Sequence, residues 1–110
     1  MYQTKTVTVG PGMRLGLHKH ERTSEYWIVV AGSGKLTHRA ATMKGDTVFG
    51  DRTVHDGDIV RIEPGEWHDV ANKTTEPLVF VAVWLGDKPT DITSPQTGDT
   101  SPLVGSGQRP

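Results

Sequence analysis

Turn-forming residues interrupt this chain too often to leave room for a long helix. Gly10-Pro11-Gly12, Gly32-Ser33-Gly34, Gly45-Asp46, Gly50-Asp51, Gly57-Asp58 and Pro64-Gly65 punctuate the first 65 residues. Glycine supplies positive φ and proline a fixed φ, so such clusters read as turns. The stretches between them have a period of two or are rich in β-branched and aromatic residues. Thr6-Val7-Thr8-Val9 alternates, and Glu25 to Ala31 turns through Gly32-Ser33-Gly34 into Lys35-Leu36-Thr37-His38, a hairpin signal. Ile59-Val60-Arg61-Ile62 and Trp67 to Asn72 read as further strands, and Leu78 to Trp84 is continuously apolar, as in a strand covered on both faces. Ala40 to Arg52 is polar and promises only short pieces such as Thr47-Val48-Phe49. About eight short strands without a helix predict an all-β fold, a small antiparallel barrel or jelly roll.

The 110 residues suffice for one domain. The strand pattern assigns residues 1–86 to the barrel and 87–110 to a tail. That tail, DKPTDITSPQTGDTSPLVGSGQRP, has only Ile92, Leu103 and Val104 as sizeable apolar residues. It cannot bury enough surface to offset its chain entropy, and is expected to be disordered or to lie on a partner. Lys+Arg number 12 against 13 Asp+Glu, so no basic field exists to attract nucleic acid or an anionic membrane. No apolar run approaches the ~18 residues of a membrane span, and the start MYQTKTVTVGPG lacks a signal-peptide pattern, so the expected setting is cytoplasmic. With no cysteine, thiol catalysis and Cys-ligated metal centres are excluded, leaving five histidines and the carboxylates as metal-ligand types.

His18 and His20 are two apart and therefore share one face of a strand, together with Gly16, while Leu15 and Leu17 share the other. Gly12, five residues, His18-Lys19-His20, four residues, Glu25, six residues and Gly32 form one spaced set. Gly57, five residues, Glu63-Pro64-Gly65, two residues, His68, three residues and Asn72 form a second. Together they resemble the paired signature of the cupin superfamily, a small antiparallel double-stranded β-helix, with the proline of the second set one place late.

Glu25 follows the histidine pair as an anion on the next strand, and His68 comes from a later hairpin. In a small barrel these four side chains would converge inside, where neutral imidazoles are ready ligands. A shell of His18, His20, Glu25 and His68 suits a divalent transition metal, Zn, Fe, Mn, Ni or Co, better than Ca or Mg. His38, at a hairpin end, and His55, in a polar run, are expected to be solvated. Asn72-Lys73-Thr74 fits a glycosylation sequon, but Asn72 reads better as the residue that holds a turn through its side chain.

Within the superfamily, Pro11 to Leu17 and Glu25 to Gly32, with Glu76-Pro77-Leu78 and Leu85-Gly86-Asp87, look most like the cupin part of type II phosphomannose isomerases. The resemblance implies a metal-dependent aldose–ketose isomerase acting on a sugar or sugar phosphate. In that reaction a base moves a proton between neighbouring carbons, with Glu25 and His18 as candidates. That family usually has Gln at His18, His at Tyr26, Arg at Asp69, and Glu and Gln at Ala82 and Trp84. Phosphate binding would then rest on Arg14, Lys19, Arg22 or Arg61. Two other classes fit the same shell: an Fe(II)-dependent dioxygenase acting on a small organic acid, and a non-catalytic small-molecule-binding module.

Trp27 and Val29 are in phase with Glu25 and should line the interior, leaving Tyr26, Ile28 and Val30 on the outside. Three large apolar residues on an outer face imply a covering surface, and a homodimer is expected to supply it.

Overall fold

The computed structural model describes residues 2–42, 45–85 and 92–93. Its strands are β1 (Tyr2–Val9), β2 (Lys19–His20), β3 (Ser24–Ala31), β4 (Ser33–Thr42), β5 (Gly45–His55), β6 (Ile59–Ile62), β7 (Trp67–Ala71), β8 (Leu78–Leu85) and β9 (Ile92–Thr93). All pairings are antiparallel. One sheet has the order β1-β8-β3-β6, a second β5-β4-β7, and β2 pairs with β9. This is the all-β antiparallel jelly roll that the turn spacing predicts, although among the described residues its sheets remain separate rather than forming one closed ladder. No helix among the described residues is long and apolar enough to cross a membrane.

Alternation decides what each strand buries. Glu25, Trp27 and Val29 of β3 point inward, as do Leu78, Phe80, Ala82 and Trp84 of β8, all at 2% exposure or less. Trp27 stacks on Phe80 with ring centroids 4.4 Å apart. Val7, Val9, Leu36, Val54, Val60, Ile62 and Val70 complete the core from the other strands. The continuous apolar run of β8 has a simple reading. Its second row, Val79, Val81 and Val83, lies half-buried on the outer face beside Tyr26 and Ile28.

Within the polar stretch Ala40 to Arg52, the described residues form more regular structure than the composition suggests, because β4 and β5 pair along nearly their whole length. Gly50, which reads as a turn residue, instead stands opposite His38 where the register shifts, a position glycine commonly takes inside a strand. Of the residues assigned to the tail, Ile92 and Thr93 pair with His20 and Lys19. The rest of it lies outside the described residues.

The segment before β2 departs from simple alternation. Its bridges to β7 are Arg14↔Ala71 and His18↔His68, so three residues lie between the bridges on one strand and two on the other. That is a β-bulge, and it changes which parity faces inward. Leu15 is consequently a core residue at 2% exposure, although simple alternation would place it opposite His18. Gly16 takes φ 102°, the left-handed conformation the bulge requires.

Candidate metal centre

Three strands bring His20, Glu25 and His68 together, and the segment before β2 places His18 beside them. β2 carries His20, β3 carries Glu25, β7 carries His68, and His18 sits on the bulged segment bridged to His68. Candidate ligand atoms of His20, Glu25 and His68 all lie within 4.8 Å of one another, and all three residues are buried. His18 stands beside this group, its ring centroid 4.2 Å from that of His68 and 6.3 Å from that of His20.

Backbone carbonyls orient all three rings. His18 Nδ1 lies 2.8 Å from Gly16 O, His20 Nδ1 3.1 Å from Thr23 O, and His68 Nδ1 3.0 Å from Glu66 O. A carbonyl only accepts, so each Nδ1 carries the hydrogen and each Nε2 is left for the interior. His20 Nε2 is 2.7 Å from Glu25 Oε1, and Glu25 Oε2 accepts from Trp27 Nε1 at 2.6 Å. A proton between His20 and Glu25 must therefore leave before a cation takes its place. His68 Nε2 is buried without a hydrogen-bond partner, 3.8 Å from Glu25 Oε1. An unpaired buried acceptor is costly, and a divalent transition metal would satisfy it. The donor set fits such a metal, with imidazole nitrogens and one anionic oxygen.

Burial pushes the pKa of His68 well below the ordinary 6.5, and the neighbouring His18 pushes it further. Burial also lowers that of His18, against a smaller opposing effect of the Gly16 carbonyl. The fold therefore favours the neutral form of both rings. Well above pH 6.5 folded and unfolded chains hold the same protons on them. Below it the unfolded chain takes up protons that the fold refuses, so stability falls as pH drops through 6.5 toward the depressed folded values. Melts of chelator-treated protein between about pH 8 and about pH 5 should show a flat upper arm and a falling lower one. A melting temperature that holds steady or rises on acidification would contradict this burial.

Several functional contacts escape simple reading of the sequence. Trp27, expected only as apolar lining, holds Glu25, and their two-residue separation on one strand was the available signal. His38 is only partly exposed rather than solvated. It stands directly opposite His68 in the β4–β7 register, and its Nε2 lies 2.7 Å from Glu66 Oε1. His55 is exposed as expected. Asp69 is buried and paired with Arg14. Lys19 pairs with Glu21 at 3.2 Å and Arg61 with Glu63 at 2.7 Å, so Arg14, Lys19 and Arg61, all considered for phosphate, already face carboxylates. Asn72 holds its turn as expected, donating to Val9 O and Glu76 O and accepting from Thr74.

A small β-roll whose interior presents backbone-tied imidazoles around a single carboxylate defines a class of β-domain with a candidate metal centre. The sequence pattern of the Cupin domain matches residues 5–84, and the chain belongs to that family. It is 32% identical over 85 residues to the mannose-1-phosphate guanylyltransferase of Escherichia coli (strain K12), covering 77% of this chain and 16% of that protein. The xanthan biosynthesis protein XanB of Xanthomonas campestris pv. campestris (strain B100) matches with the same identity and coverage. The chain thus spans about one sixth of these relatives' length. Among solved structures, oxalate decarboxylase of Bacillus subtilis aligns with a TM-score of 0.70 at 28% identity, over 84% of this chain and 23% of that one. A predicted oxalate decarboxylase from Thermotoga maritima aligns with a TM-score of 0.64 at 27% identity, over 74% and 64%.

Proposed function

We propose that this cupin holds a divalent transition metal through His18, His20, Glu25 and His68 and isomerises a sugar or sugar phosphate between aldose and ketose. The observation that carries the reading is the unpartnered Nε2 of His68 facing Glu25 and His20 in a buried site. The mannose-phosphate relatives favour the sugar. A cation bound there supplies Lewis-acid polarisation of adjacent sugar oxygens. Trp27 fixes the Glu25 carboxylate, so that Oε1 faces the imidazoles. With His18 and Glu25 serving as ligands, moving the proton falls to His38, which Glu66 orients beside His68. Protein loaded in turn with Zn, Mn, Co or Ni should interconvert a panel of aldoses and their phosphates without oxygen. His38→Asn should lower turnover while leaving metal content unchanged.

A second reading rests on the oxalate decarboxylase neighbours: a metal cupin acting on a small carboxylic acid, including an oxygen-dependent one. Turnover that requires Fe(II) and stops when oxygen is removed would replace the isomerase with this reading. Tight sugar binding without turnover under any metal would instead make the chain a binding module.

We also propose a homodimer through the outer face of the β1-β8-β3-β6 sheet. There Ile28 lies opposite Ile59 and Val81, and Ile28, Val30 and Ile59 are 39%, 52% and 62% exposed. A second copy would cover this row, burying more than about 1,200 Å² in total if the contact is stable. Light scattering should give a dimer for the native chain and a folded monomer for Ile28→Asp. A native monomer at micromolar concentration would overturn the assignment.

A further inference from the structure

Asp69 follows His68 in β7 and by alternation points away from the metal centre, yet it is 1% exposed. A carboxylate so deeply buried needs donors. Arg14 donates to Oδ2 from Nε at 2.9 Å and again from Nη2, and Gly16 N donates to Oδ1 at 2.8 Å.

That last bond falls inside the bulge. Leu15 N donates to Val70 O at 2.9 Å, and His18 and His68 exchange backbone bonds of 3.1 and 2.9 Å. Between these rungs Gly16 N–H finds its acceptor in the Asp69 side chain. The carbonyl of Gly16 in turn receives His18 Nδ1–H at 2.8 Å. One residue is thus gripped through its N–H by Asp69 while its carbonyl aims an imidazole.

We propose that Arg14 and Asp69 form a positioning clamp for His18. The clamp stabilises the bulge that turns His18 inward and, through Gly16, presents His18 Nε2 to the metal centre. Asp69 touches neither metal nor substrate in this role. It acts through Gly16, and Arg14 holds its charge in place. The clamp's effect on metal binding rests on the metal reading above, but its effect on the His18 ring does not.

Two measurements separate these levels. Imidazole 15N signals of chelator-treated protein report which nitrogen of His18 carries the hydrogen, and Co(II) titration followed by absorbance reports affinity and coordination. The native chain should show His18 with hydrogen on Nδ1. Asp69→Ala should lose that preference and weaken Co(II) binding by roughly 10- to 100-fold. Asp69→Asn, which keeps an oxygen for Gly16 N, should recover much of the affinity. The Asp69→Ala/His18→Ala double variant should bind Co(II) no more weakly than His18→Ala alone, because both remove the same contribution.

Additive losses, or an Asp69→Ala protein that keeps both the His18 tautomer and native affinity, would overturn the clamp. If Asp69→Ala does not fold, Arg14→Gln replaces it and should shift the tautomer and affinity in the same direction by several-fold; an unchanged Arg14→Gln would overturn it equally. A native chain that binds no Co(II) would remove the metal reading, and the tautomer would still decide whether the clamp orients His18.

Discussion

Gly32→Ala should destabilise the fold by about 3 kcal/mol or more. Gly32 joins β3 to β4 at φ 80°, where an L side chain costs roughly 1–2 kcal/mol. A Cβ there would also lie 2.2 Å from Pro77 O and 2.9 Å from Leu78 Cα. Those atoms are backbone at the entry to β8, which pairs with both β1 and β3 and cannot yield without disturbing both ladders. Gly12 is the internal control. It has φ 77° but nothing within 4 Å of its would-be Cβ, so Gly12→Ala should cost only about 1 kcal/mol. Urea melts of the two variants measure the difference. Equal losses would show that the conformation alone matters and that the approach of Pro77 does not.

Glu25→Gln should separate metal binding from stability. It removes the one negative charge among the proposed ligands, and zinc or cobalt affinity should fall by about 100-fold or more. The fold should survive, because the amide of Gln keeps an oxygen for Trp27 Nε1 and offers N–H to His20 Nε2, replacing the two contacts that Glu25 makes. Calorimetry with the metal and a melt of the metal-free variant provide the two readouts. Native affinity in the variant would remove Glu25 from the proposed ligands. A collapse of the metal-free melt would show that the charge is needed for folding instead.

His20, Glu25 and His68 were legible because their spacing combines with strand alternation, and both are local properties of sequence. The orientation of their rings was not. It depends on carbonyls of Thr23 and Glu66 in the connections just before β3 and β7, whose direction follows from the assembled backbone. His38 was misread because its partners lie near residue 66, and only the β4–β7 register reveals that it faces His68. Leu15 was misread because a one-residue bulge inverts parity, and glycine at position 16 is the only local mark of it. The length of the β4–β5 hairpin was hidden for a related reason: Gly50 resembles a turn residue and instead occupies an irregular rung.

That bulge also determines how the chain can vary in length. Deleting Gly16 alone would keep every imidazole and carboxylate in the protein and would leave Leu15 and His18 two apart on one face, yet it would remove the bulge itself, and with it the N–H that donates to Asp69 and the carbonyl that receives His18 Nδ1–H. A gap of one position here is therefore a more severe event than most substitutions at the same site. Among sequences related to this one, those that conserve both histidines should conserve the number of residues between positions 14 and 18 even where the residues themselves drift.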